Sequence, residues 1–201
     1  NGIRDASSAS NPLALDSRIF FIAHAPDEFV GSFPSWSDAK RDYGAKGDGM
    51  ADDTAALQRA LNELGNPEQP LDTIVSGRPY VLWLPAGTYR ITQGLKFNYR
   101  IAVSIFGEGS TTTIIKWDGP QDGVMLHCNG VSHHRVGRLT FDGSAQAISA
   151  IDHKWDGTNQ PHATTASEYS DLVIRDAQYG FRAGVGNNDA EVAVLRCHFL
   201  R

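Results

Sequence analysis

Asp42-Tyr43-Gly44-Ala45-Lys46-Gly47-Asp48-Gly49-Met50-Ala51-Asp52-Asp53-Thr54, followed by Ala55-Ala56-Leu57-Gln58-Arg59-Ala60-Leu61-Asn62-Glu63-Leu64, is the stretch whose reading decides the fold. It divides into a glycine-rich turn and a helix. Gly44, Gly47 and Gly49 let the backbone reach positive φ, so residues 43–49 bend sharply. Asp52 or Asp53 can accept a hydrogen bond from a free N–H of the first helical turn, and its charge suits that end of the helix. Leu57, Ala60, Leu61 and Leu64 recur at helical spacing as one apolar stripe. Gly65 and Pro67 then stop the helix. Turn and cap chemistry accounts for Asp48, Asp52 and Asp53, so they are not read as a metal or acid–base cluster.

Further on comes Val81-Leu82-Trp83-Leu84-Pro85-Ala86-Gly87-Thr88-Tyr89. The two pieces together resemble the entry segment of the pectate-lyase/polygalacturonase-like superfamily. There a DYGAKGDG-x-x-DDT turn and helix precede an LPAGTY strand. The match covers residues 36–117, with looser repeat-like similarity beyond. The resemblance implies an all-β solenoid: a right-handed parallel β-helix whose open end is plugged by the helix at 53–64. It implies activity only broadly, because the superfamily includes glycoside hydrolases, polysaccharide lyases, epimerases and phage tailspikes.

Outward from this segment, residues 1–36 read as an arm. Its start is rich in Ser, Ala and Asn, and a short apolar run, Ile19-Phe20-Phe21-Ile22, follows. Residues 66–79 hold three prolines and read as a loop. From residue 80 onward short β-rich segments alternate with Gly-, Asp- and Asn-containing turns. Strands are expected at 80–84, 88–92, 101–106, 113–117, 124–128, 135–141, 147–151, 170–175, 180–183 and 191–199. A degenerate unit recurs around Leu139, Leu172 and Leu195. The step from Leu172 to Leu195 is roughly 20–25 residues, one solenoid turn. The step from Leu139 to Leu172 is longer, and the excess falls in the polar stretch 155–167. Insertions of this kind map to loops on one face. Period-two alternation turns Leu139, Phe141, Leu172, Ile174, Leu195, Cys197 and Phe199 inward. It leaves Thr140, Asp142, Val173, Arg175, Arg196 and His198 outside. The chain stops at Arg201 directly after a strand-like segment, so residues 37–201 read as the N-terminal portion of a β-helix. Its remainder is expected further along the protein or on another chain.

Bulk properties exclude several classes. The 201 residues carry a formal net charge of −5 with both signs interspersed, unlike a nucleic-acid or membrane-surface footprint. No apolar run is long enough to span a bilayer. Cys128 and Cys197 are too few and too separated for a disulfide framework and read as core-facing thiols. No short-spaced metal-ligand pair accompanies them, so no metal and no cofactor are expected, Ca²⁺ entering only if the protein is a lyase.

Chemistry is expected in residues 142–168. Asp152 or Asp156 with Glu168 can supply the carboxyl pair that glycoside hydrolysis needs, a proton donor and a nucleophile or base. Trp155 can stack on a sugar ring, and His153 can contact substrate. Arg175 and Arg182, with Arg196, can form a row that binds uronate carboxylates, or can pair with Asp171, Asp176 and Glu191. His133 and His134 are adjacent, so they point to opposite faces of a strand and read as surface or turn residues. The Asn187-Asn188-Asp189 turn offers oxygen ligands of the kind Ca²⁺ takes. The Asn-Thr-Asp, Asp-Asp, Gly-His-Gly and Arg-x-Lys motifs of polygalacturonases are absent.

The resulting expectation is a secreted enzyme acting on a polysaccharide or oligosaccharide, a glycoside hydrolase first and a Ca²⁺-assisted lyase second. A glycan-binding tailspike or adhesin is the reading from a different class. Tailspikes resembling this family are trimers, and the aromatic arm would then serve assembly.

Overall fold

The computed structural model describes residues 32–65, 77–155, 164–184 and 190–201. The arm up to residue 31, the loop 66–76, Asp156 with its neighbours to 163, and the turn 185–189 lie outside the described residues.

Along the chain come β1 (Ser37–Asp38), β2 (Asp48–Asp52), the helix α1 (Thr54–Glu63), β3 (Val81–Leu84), β4 (Gly87–Ile91) and β5 (Leu95–Ile101). Next are β6 (Ser104–Gly107), β7 (Thr113–Trp117), β8 (Val124–Ser132), β9 (Arg135–Gly137) and β10 (Thr140–Lys154). The last are β11 (Thr165–Ser170), β12 (Val173–Ala183), β13 (Ala190–Leu195) and β14 (His198–Leu200). Each pairs in parallel with the strand one coil away, never with its neighbour in sequence. Three axial stacks result. The first is β1, β3, β6, β9, β11, β13. The second is β2, β4, β7, the start of β10, the start of β12, and β14. The third is β5, β8, the end of β10 and the end of β12. This is a parallel β-helix. Its hand is right, as parallel crossovers in one sheet require.

Each stack carries an inward column. Leu82, Ile105, Val136, Tyr169 and Val194 line up in the first. Tyr89, Ile115, Phe141, Ile174 and Phe199 line up in the second. In the third, Leu95, Leu126, Ile151 and Phe181 form one column, and Phe97, Cys128, His153 and Ala183 another. Because side chains alternate, fixing these columns inside fixes the residues between them outside. The lumen is dry and closely packed: the void lined by Leu57, Leu61, Leu84, Leu95, Ile115 and Phe141 has a volume of about 10 Å³.

Helix α1 closes one end of the lumen. Leu57, Ala60, Leu61 and Leu64 are buried, as their spacing requires. The two aspartates before it divide the labour. Asp52 accepts from the N–H of Thr54 at 3.0 Å and from the hydroxyl of Thr92 at 2.7 Å, which serves the first helical turn. Asp53 makes no cap bond to the helix. Its carboxylate reaches back to the N–H groups of Lys46 and Gly47, at 2.6 and 2.9 Å, and pins the glycine-rich turn. Asp48 accepts from Met50 and Ala51 in a local turn, both at 2.8 Å. Arg100 fastens the other end, donating to the carbonyl of Asn62 at 2.8 Å.

The corners repeat as regularly as the strands. Arg138, Asp171 and Arg196 occupy equivalent corners at φ 61°, 54° and 51°, and His133, Ala166 and Glu191 another set at 53°, 48° and 55°. This corrects one inward assignment. The residue equivalent to Leu139 and Leu172 is Cys197, since Val173 and His198 donate to the carbonyls of Leu139 and Leu172. Leu195 ends β13, pairs with Ser170, and turns outward. Strands β1, β2, β5 and β11 are additional to those expected. In β5 the alternation lasts only through Leu95, Lys96, Phe97 and Asn98 before Tyr99 takes positive φ.

Candidate functional site

The outer face of the third stack gathers the densest chemistry. Between the inward columns runs an outward row, Lys96, His127, Asp152 and Arg182, each in register with the next. A parallel row of Asn98, Asn129 and Lys154 lies two residues along. Strands in register are about 4.8 Å apart, so the first row presents an ammonium, an imidazole, a carboxylate and a guanidinium over roughly 14 Å.

Asp152 and Arg182 lock to each other. Nε and Nη2 of Arg182 donate to the two carboxylate oxygens at 2.7 and 2.5 Å. Its hydrogen bonds to the Asp152 carboxylate raise the Arg182 pKa above its ordinary value, so the guanidinium stays charged. Its outer face lies 5.7 Å from the ring centre of Tyr179, which is 47% exposed and offers a flat aromatic surface beside the row. His127 sits half-buried over Gly94, where an added Cβ would lie 3.2 Å from its Nε2 and 2.4 Å from the carbonyl of Val124. Burial pushes its pKa below the usual histidine value, so the imidazole is neutral at pH 7 and can take a proton.

A second surface lies at the corner between the third and first stacks. His133, Arg135, Ser167, Glu168 and Glu191 line an open cleft of about 310 Å³. Glu168 accepts from the hydroxyl of Ser170 at 2.8 Å and stands 3.7 Å from Arg135 one coil earlier.

Residues 37–127 match the family described as rhamnogalacturonase A/epimerase, pectate lyase-like. Over 126 residues the chain is 31% identical to mannuronan C5-epimerase AlgE2 of Azotobacter vinelandii, an overlap of 57% of this chain and 12% of that protein. Over 115 residues it is 33% identical to alginate lyase 7 of the same organism, covering 52% of this chain and 12% of the relative. The chain thus spans about an eighth of the length of these curated relatives. Among solved structures, the A-module of mannuronan C5-epimerase AlgE4 from Azotobacter vinelandii superposes with a TM-score of 0.55. Identity there is 18%, over 80% of this chain and 50% of the other. The entry segment is thus similar to the pectate-lyase-like family, and the fold is similar to that of the epimerase module.

Within this fold the expected site residues scatter. Asp152 and Glu168 lie on the outside but on different stacks, each engaged with an arginine of its own stack, so they do not face each other across one groove. Asp156 lies outside the described residues. Trp155 is 6% exposed and packed away from solvent. His153 is fully buried, in column with Phe97 and Cys128, because Asp152 and Lys154 take the two outward positions around it. His134 is likewise inside the coil rather than on the surface. Arg175 pairs with Asp142 at 2.8 Å on the second stack, and Arg196 pairs with Asp171 at the corner. The three arginines therefore form no row. Cys128 and Cys197 are free thiols, the first fully buried. Among the described residues no three His, Cys, Asp or Glu side chains converge as a metal site would need.

Sequence reasoning missed Lys96 and His127. The signal was present: both lie on alternating strands between buried neighbours, one coil apart. Finding them required the register between β5 and β8, and β5 was not expected as a strand.

Proposed function

We propose that the chain carries the substrate-binding face of a polysaccharide-modifying enzyme that takes up an acidic polymer along the third stack. The proposed reaction is removal of the proton α to a sugar carboxylate, the step that begins either elimination or epimerisation. The in-register row Lys96–His127–Asp152–Arg182 carries this reading. Lys96 and Arg182 neutralise substrate carboxylates, which lowers the cost of forming the carbanion-like transition state. His127, neutral through burial, accepts the proton. Asp152 fixes the guanidinium plane, and Tyr179 offers a ring for stacking. The two curated relatives described above carry names of an epimerase and a lyase, which supports this class of chemistry. The proposed setting is outside the cell, where a polymer of this kind is met.

The test is incubation of the chain with a polyuronate in D₂O. The expected result is deuterium at the carboxylate-bearing ring carbon if the carbanion is reprotonated, or ultraviolet-absorbing unsaturated ends if it eliminates, and either signal should vanish in His127→Ala. New reducing ends with neither deuterium nor unsaturation would instead favour a hydrolase built on the corner cleft, where Glu168 and Glu191 line one cavity.

A further inference from the structure

Inside the β-helix, behind the outward row, four polar side chains form a chain of hydrogen bonds that links successive coils, from His134 just before β9 to His153 on β10 and to Ser167 and Tyr169 on β11. Ser167 Oγ lies 3.0 Å from Nδ1 of His134, Nε2 of His134 lies 2.9 Å from the hydroxyl of Tyr169, and that hydroxyl lies 2.8 Å from Nδ1 of His153. His134, His153 and Tyr169 are fully buried, and Ser167 is 2% exposed.

The direction of every proton follows from one end. Ser167 donates to the carbonyl of Thr165 at 3.0 Å, and a carbonyl can only accept. With its hydrogen committed, Ser167 Oγ accepts from Nδ1–H of His134. Burial holds His134 neutral, pushing its pKa down to about 3, so its Nε2 is a lone pair and accepts from Tyr169. The tyrosine hydrogen is thereby used, so Nδ1 of His153 donates to Tyr169. His153 is also held neutral by burial, at about 4, which leaves its Nε2 as a bare lone pair. That atom is buried and has no hydrogen-bond partner among the described residues. The relay therefore has one open terminus, and it is basic.

Among the described residues no charged group faces His153 from inside the coil, while the other end of the relay, His134 and Ser167, borders the cleft lined by Arg135, Glu168 and Glu191. From β5, Phe97 stands in the His153 column, and its ring lies edge-on to His134 at 5.7 Å. Cys128 of β8 faces the same tyrosine hydroxyl. Phe181 of β12 stands 6.0 Å from the His153 ring, with Ala183 beside it in register. Tyr169 and Ser167 face it from β11. His134 stacks 5.8 Å away at 27°, the nearest ring able to become charged. Asp152 and Lys154, on either side in sequence, point out of the coil, as do His127 and Arg182.

We propose that this relay is an acid-operated latch joining β10 to β11 across the lumen. With Nε2 of His153 free of a proton the relay is closed and β10 is held in place. A proton arriving there creates an imidazolium in an apolar interior, facing a second histidine, with no carboxylate of the described residues turned toward it. The coil at β10 and β11 opens to hydrate it, and the outward position of Asp152 is lost with it. The latch stands whatever reaction the outer face performs.

The test uses the 201-residue chain, ¹⁵N-labelled, followed by long-range imidazole NMR while the pH is lowered from 7. Both His134 and His153 should appear as the Nδ1–H tautomer. His153 should take its proton only as native signals of β10 and β11 disappear. In His153→Asn, which keeps an N–H for Tyr169 but no basic nitrogen, the opening midpoint should move lower by about one pH unit. An Nε2–H tautomer on either ring, titration of His153 near 6.5 in a chain that stays folded, or an unmoved midpoint in the variant would overturn the latch. The tautomers are read on the native chain, so the result does not depend on the variant folding.

Discussion

Asp152 holds Arg182 through two parallel hydrogen bonds, at 2.7 and 2.5 Å, across one coil of the third stack. The pair is well shielded, with the side chains 6% and 29% exposed. Removing one partner leaves the other partly desolvated and unpaired, which costs more than the pair itself contributes. Asp152→Ala should lower stability at pH 7 by about 2 kcal/mol in urea unfolding. The pair Arg175–Asp142 has its arginine side chain 41% exposed, so Asp142→Ala should cost only about 1 kcal/mol. Equal losses at the two sites would contradict the ranking by burial.

The adjacent aspartates at the start of α1 should behave differently although either alone looks like a cap. Asp53 is 2% exposed and satisfies the backbone N–H groups of Lys46 and Gly47. Asp53→Ala should therefore cost about 2–4 kcal/mol, since two shielded donors lose their acceptor. Asp52 is solvent-facing, and Asp52→Ala should cost about 1 kcal/mol, the usual scale for a lost cap. Thermal unfolding of the two variants measures the order directly.

Activity should carry the signature of a base held below the ordinary histidine range. His127 acts only when unprotonated, and burial lowers its pKa. The rate should thus be flat through neutral pH and fall on the acid side only below about 6.5. Arg182, raised by its bond to Asp152, stays charged throughout and adds no alkaline limb. An acid limb centred above 6.5 would remove His127 from the role of base.

The two thiols should differ in reactivity. Burial pushes Cys128 up to about 12, and it is fully enclosed beside His153. In the native chain at pH 8 a thiol reagent should leave Cys128 unmodified, while Cys197 reacts slowly because burial also raises its pKa. Both should react at once after unfolding.

The fold was legible because its entry segment is local: a glycine turn, a cap and an apolar stripe are written in consecutive residues. The inward columns at Phe141 and Ile174 were legible too, since alternation needs only a strand and its neighbours. The site was not, because it is made by register. Lys96, His127, Asp152 and Arg182 lie on four strands, and nothing in any one of them announces the other three. His153 shows the same limit from the other side. In a polar stretch beside Asp152 it reads as a surface residue, yet alternation within β10 turns it into the lumen once Asp152 faces out. Leu195 fails for a related reason: the corner at Arg196 shifts the equivalent position to Cys197, and a corner residue with positive φ leaves little trace when it is not glycine.

The most direct measurement of the central claim is a titration of the ¹⁵N-labelled chain with an oligouronate, mapping which signals move. Shifts should concentrate at Lys96, His127, Asn129, Lys154, Tyr179 and Arg182, on the outer face of the third stack. Shifts centred instead on His133, Arg135, Glu168 and Glu191 would contradict that claim and move the working surface to the corner cleft.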